Sequence, residues 1–362
     1  MNEYHNDQTL PEDLLDLNTI MRSFGIHTWT NLGPAEFSNA TSLSLLVEVE
    51  GKRYILRERP ESPMGNDNGH RDSFHAYLRQ QGIPLPAHLQ TAQSEPYVTI
   101  GEDSFELQEW PEGELFSTLN PRSTTWGQAA ATMLGRLHQA SSRYQGPQYR
   151  WPEEAHIGAM VQNWLHLARG RAETCGNQAI ALALTNWAEQ WEAVLPPAMV
   201  AIGGAGESLP EFHIHGDYHA LNLRFGPAGV TAIMGLEASR WEKRIFEVAY
   251  ALFYFCALSW HPGEPLTPPL VKRGFEPERA RQFLAAYGEV FPPVKGEAAL
   301  LADALMIIAP IATINGPLED LFFGSEDLND IQIENLMERL NWASSLPSWL
   351  KRIRPSLQEM WA

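Results

Sequence analysis

The sequence predicts an α+β chain in two parts, a small antiparallel sheet followed by a larger, mostly helical region. Three observations point there. Strand-like alternation crowds into residues 43–109, helical spacing dominates from residue 123 onward, and 362 residues exceed what one hydrophobic core usually organises.

Residues 12–24 come first and read as an amphipathic helix, with Leu14, Leu15, Leu17, Ile20, Met21 and Phe24 at 3–4 spacing and Gly25 as a stop. The segment Leu32–Thr41 reads as a loop. Leu43–Glu50 and Arg53–Arg59 alternate as strands around Gly51-Lys52, which predicts a hairpin. Alternation puts Ile55, Arg57 and Arg59 on one face of the return strand. A helix is expected over 71–82, then strands at 97–100 and 104–109, broken by Pro111 and Gly113.

Beyond this point, Ser123–Ser141 reads as a helix burying Ala129, Ala130, Met133, Leu134 and Leu137. Helices at 153–169 and 177–195 carry Trp164, Trp187 and Trp191 at core-like spacing. Gly203-Gly204-Ala205-Gly206 reads as loop. Further helices are expected at 245–258, 276–290, 296–310 and 328–344.

Composition narrows the function. A hydrophobic content of 44% and a charged content of 19% are those of a globular chain, and the net charge of −18 argues against a nucleic-acid or anionic-membrane binder. That charge suits a cationic small-molecule partner, or is only an acidic surface. Two cysteines, Cys175 and Cys256, offer neither a disulfide framework nor a zinc pattern and suit a reducing cytoplasm. The polar N-terminus does not read as a signal peptide, and the longest apolar run, Val248–Trp260, is too short to span a bilayer.

Chemistry concentrates in His213-Ile214-His215-Gly216-Asp217-Tyr218-His219-Ala220-Leu221-Asn222-Leu223. Asp217 and Asn222 stand five apart across a turn between two apolar strands, so a carboxylate and an amide can converge on one small volume. Phosphoryl transfer uses such a pair: the carboxylate orients a hydroxyl and takes its proton, and the amide oxygen holds Mg²⁺. His213, His215 and His219 lack a fourth ligand nearby and do not make a zinc site. His215 is expected to brace the turn instead.

HGDYHALNLRF, followed by VTAIMGLEASRWEKRIFEVAYAL, resembles the aminoglycoside phosphotransferase and choline kinase-like family over roughly residues 30–330. The resemblance implies a two-lobed, protein-kinase-like fold, with a nucleotide-binding lobe at 1–110 and a helical lobe at 111–362. It implies ATP and Mg²⁺ as cofactors. Asp217 falls on the catalytic aspartate and Asn222 on the metal-binding asparagine. Arg57 falls on the phosphate-binding cation, Ser38-Asn39 on the phosphate loop, and Gln108–Trp110 on the hinge whose backbone meets adenine. Asp72 stands near the glutamate that holds the phosphate cation, His138 in a structural G-x-L-H, and Glu247 in place of a structural aspartate.

One expected residue is missing. The aspartate that holds the metals is replaced by Gly235, and Glu237, two positions on, is the substitute ligand. Three readings follow: a kinase for a hydroxyl of a small molecule, such as an amine-bearing sugar or alcohol, using Glu237; a weak or inactive relative that binds nucleotide or another small molecule; or an active enzyme from whose natural sequence the aspartate has been removed. Acids and aromatics in 316–324 would suit a cationic acceptor or simply pack between helices. No G-x-S-x-G or metalloprotease motif supports a hydrolase.

Overall fold

The expected hairpin lies at the centre of a five-stranded antiparallel sheet. The computed structural model describes residues 17–35, 43–59, 68–152, 156–257, 276–314 and 329–362. Two compact units make up the chain: Met1–Pro60 with Pro86–Trp110, and Glu61–Leu85 with Pro111–Ala362. Residues 61–85, expected with the N-terminal lobe, fall in the second unit.

The first unit contains α1 (Leu17–Ser23) and strands β1 (Thr30–Pro34), β2 (Ser44–Val49), β3 (Lys52–Glu58), β4 (Val98–Ile100) and β5 (Asp103–Glu109), ordered β1-β2-β3-β5-β4. Ile20 and Met21 of α1 join Val47, Leu56, Phe105 and Leu107 in one small core. The β3–β5 register sets Arg57 opposite Glu106 and Ile55 opposite Gln108. Leu32–Pro34, expected as loop, belongs to strand β1. That strand is an exposed edge with a register shift between Asn31 and Gly33, so it carries no alternation of burial for a sequence pattern to reveal.

In the second unit, α2 (Asn68–Gln80), α3 (Ser123–Ser141), α4 (Ile157–Thr174), α5 (Gln178–Glu192) and α6 (Leu195–Ala205) precede the central stretch. Asn177 caps α5 by accepting from the amides of Ala179 and Ile180. Trp187 and Trp191 are fully buried, in the core role expected of them. Helix α6 extends through glycines expected to be loop. Prolines at its first turn start it, Leu195, Ala198 and Ile202 bury one stripe, and Gly206 at φ +51° ends it.

Four short strands carry the motif: β6 (Glu211–Ile214), β7 (Leu223–Gly226), β8 (Gly229–Ile233) and β9 (Arg240–Lys243), paired β6–β9 and β7–β8. Helix α7 (Arg244–Cys256) is apolar almost all round because nearly all of it is buried. Helices α8 (Pro277–Val290), α9 (Glu297–Ile314) and α10 (Asp330–Trp361) complete the unit. Helix α10 continues well beyond residue 344, through Pro347 and Pro355. Leu346, Leu350, Leu357 and Trp361 stay buried along it, and their packing outweighs the hydrogen bonds the prolines remove.

Candidate active site

The turn between β6 and β7 is held from below by Glu247. Its carboxylate accepts from the amides of His215 and Gly216 and from Nε2 of His138, and the His138 Nδ1 lies 2.8 Å from the Tyr287 hydroxyl. Nε2 donates to Glu247, and the lowered pKa of His138 favours the neutral ring, whose Nδ1 accepts from the Tyr287 hydroxyl. Burial lowers the His138 pKa. Burial alone would raise that of Glu247, but the contacts with His138 and His215 outweigh it and hold the carboxylate ionised. His138 and Glu247 are therefore structural, as expected. His215 braces the turn: its Nδ1 accepts from the Asp217 amide at 3.2 Å, and its Nε2 lies 2.7 Å from the Met234 carbonyl.

Asp217 is half-buried at the tip of this turn. Tyr250, on α7, donates to its Oδ1 at 2.6 Å, and Asn222 donates Nδ2 to its Oδ2 and to its backbone oxygen, both at 2.8 Å. His219 accepts from the Leu221 amide through Nδ1 and places Nε2 3.3 Å from Oδ2. Burial opposes ionisation of Asp217. The electrostatics and hydrogen bond of His219, the hydrogen bond of Tyr250 and the electrostatics of His215 overcome it, so the carboxyl stays well below the usual carboxylate range.

Asp217 opens onto a cavity of about 170 Å³ within the second unit, lined largely by apolar side chains with Asp217, Arg240 and Glu247 among them. Segment 316–324 lies outside the described residues.

The structure thus brings Asp217 and Asn222 together. Glu237 follows on a short turn, Leu236–Ala238, that Gly235 opens at φ +80°. With Nδ2 of Asn222 spent on Asp217, its Oδ1 remains as a metal donor. Asn222 and Glu237 are hard oxygen ligands of the kind Mg²⁺ takes, but position 235 adds none. Among the described residues, no three His, Cys, Asp or Glu side chains gather into a metal site.

Arg57, in the first unit, pairs with Glu106, which also holds Arg59 at 3.3 Å and lies 3.7 Å from His88. The Gln108 side chain is turned to His88 and Glu106, and the amides of Glu109 and Trp110 donate to Ala87 and Arg53. Ser38 and Asn39 lie outside the described residues. Sequence reasoning missed Glu106, Tyr250 and Arg240. Only the cross-strand position of Glu106 opposite Arg57 was open to inference, once the strand register is known.

A model of the phosphotransferase enzyme family matches residues 35–300. The chain belongs to the phosphotransferase enzyme family. Solved structures agree on the fold. An amicoumacin kinase in complex with AMP-PNP, Ca²⁺ and Ami is 18% identical, with TM-score 0.61, over 86% of this chain and 88% of that one. An aminoglycoside phosphotransferase from Alicyclobacillus acidocaldarius is 14% identical, with TM-score 0.62, over 99% and 100%. A choline kinase from Cryptosporidium parvum is 14% identical, with TM-score 0.56, over 95% and 92%. No curated protein matches the chain. Among the described residues no helix is long and apolar enough to cross a membrane.

Proposed function

We propose that this chain is an ATP-dependent phosphotransferase that acts on a hydroxyl of a small molecule, with Asp217 as the proton acceptor. One observation carries the reading: an ionised carboxylate, fixed by Tyr250, Asn222 and His219, at the wall of a small-molecule-sized cavity. The acceptor oxygen attacks the γ-phosphorus of ATP. A P–O bond to the acceptor forms as the bond from that phosphorus to the β–γ bridging oxygen breaks. The hydroxyl proton passes to Asp217, and ADP and a phosphomonoester leave. A weakly basic carboxylate suits this chemistry, because in a loose transition state its main task is to orient the hydroxyl.

Arg57, oriented by Glu106, and the Ser38-Asn39 segment are proposed to bind phosphates, and backbone near Gln108–Trp110 to bind adenine. Asn222 and Glu237 would hold Mg²⁺, which when bound offsets negative charge on the phosphates. The reading places the protein in the cytoplasm, where ATP is available and its unpaired Cys175 and Cys256 are stable.

Gly235 favours a second reading, nucleotide binding with little transfer. Loss of one carboxylate ligand costs on the order of a thousandfold in rate. Calorimetry with ATP and Mg²⁺, joined to ATP consumption over amino sugars, amino alcohols and hydroxy acids, separates the two. Acceptor-dependent ADP formation supports the enzyme. Binding without it supports the second reading, and no nucleotide binding excludes both.

A further inference from the structure

The acceptor cavity contains a buried cation. Arg240 on β9 is 5% exposed, and its guanidinium lies over the Trp151 ring, 4.5 Å from the centroid. Nη1 donates to the Ala238 carbonyl at 3.1 Å, while Nε is buried with no hydrogen-bond partner. Among the described residues no carboxylate lies within ion-pair distance of it. The three nearby acids are committed elsewhere: Asp217 to Tyr250, Asn222 and His219, Glu247 to His138 and the turn amides, and Glu242 to the Lys243 amide and His156. A guanidinium taken out of water without an anion is costly, and such a cost is retained where a ligand supplies the missing partner. An ammonium entering this cavity would meet the like charge of Arg240 beside the carboxylates of Asp217 and Glu247, which are already hydrogen-bonded within the chain.

The guanidinium is also close to the reacting centre. Nη1 would lie 2.7 Å from a β-carbon placed on Gly216, the residue before Asp217. We propose that Arg240 selects the acceptor and that the acceptor is a hydroxy acid. Its hydroxyl faces Asp217, its carboxylate takes the guanidinium fork a few bonds away, and its apolar or aromatic body lies among Trp151, Met160, Phe246 and Ile308. Burial lowers the pKa of Arg240 in the free chain, and a bound carboxylate reverses that effect.

The role of the hydroxyl rests on the phosphotransfer reading, whereas the preference for a carboxylate is a matter of binding alone. Calorimetry on the full chain with phenyllactate, phenylpropanediol and phenylalaninol tests it. These probes share an aromatic body and a hydroxyl and differ in carrying an acid, a neutral group or an amine. Phenyllactate is expected to bind about tenfold or more tighter than the diol, the worth of one charge-assisted hydrogen bond, and tighter still than the amine. Arg240→Gln removes that preference, and Arg240→Lys restores part of it. Equal or tighter binding of the diol or amine overturns the proposal, as does an acid preference that survives Arg240→Gln in a folded variant, or binding of none of the three. Selective binding of the acid without turnover leaves the proposal standing and counts against phosphotransfer instead.

Discussion

The carboxamide of Asn222 stands against Gly235, so that a β-carbon added at 235 would lie 2.5 Å from Nδ2 and 2.8 Å from Cγ. Glycine at 235 therefore leaves room for the carboxamide of Asn222, which binds Asp217. Gly235→Ala also places a side chain at φ +80°. It is expected to cost about 1–2 kcal/mol in urea unfolding and to loosen the Asn222–Asp217 contact. Gly235→Asp is expected to be less destabilising than Gly235→Ala, because aspartate tolerates the left-handed region better, and to strengthen Mg²⁺-dependent nucleotide binding. An alanine variant as stable as the parent contradicts this packing.

Tyr250 lowers the proton affinity of Asp217. Tyr250→Phe removes one donor to the carboxylate, so the Asp217 pKa rises. Activity that needs the ionised form then loses its acid side at higher pH than in the parent. The expected result is an upward shift of the acid limb of the kcat–pH profile and a kcat lower by about tenfold. An unshifted limb rules out this coupling.

Glu106 holds two arginines, one of them, Arg57, still 21% exposed. Arg57→Gln is expected to weaken ATP binding about tenfold with little change in stability. Glu106→Gln replaces the buried carboxylate that meets both guanidinium groups with a neutral amide and is expected to cost about 3 kcal/mol. Calorimetry and denaturant titration measure the two effects. The reverse pattern, with Arg57 the stability residue, overturns the assignment.

His213 illustrates how much of the site was legible beforehand and how much was not. Its strand, the Asp217–Asn222 pair and the hairpin around Gly51 follow from alternation and turn residues, which are local signals. Its surroundings are not local. Its Nε2 accepts from the Tyr149 amide at 3.0 Å, and its ring packs against Phe74, Tyr144 and Trp241. Those contacts form only when distant segments meet. The same is true of Tyr250 on Asp217 and of Arg240 over Trp151. Helix α6 and the end of α10 were misread for a related reason: glycine and proline propensities are local, and burial of Ile202 and Leu357 overrides them.

The position of His213 sets a pH dependence. Burial first, then the charges of His70 and Arg150, push its pKa down from 6.5 to about 3. The folded chain keeps this ring neutral where the unfolded chain protonates it. Its contribution to stability is therefore full above pH 6.5 and falls as the pH drops toward 3, by about 1.4 kcal/mol per pH unit. His213→Gln keeps an acceptor for Tyr149 and removes the titration, so its unfolding midpoint should fall less steeply between about pH 6 and pH 5. Equal slopes contradict a neutral buried His213.

The most direct test of the proposed chemistry is phosphorus NMR of ATP with the parent chain and with Asp217→Asn, using hydroxy acids and amino alcohols as acceptors. Appearance of a phosphomonoester and ADP with the parent, and neither above background with a folded Asp217→Asn, is the predicted result. Undiminished transfer in Asp217→Asn would remove Asp217 from the reaction and contradict the proposed mechanism.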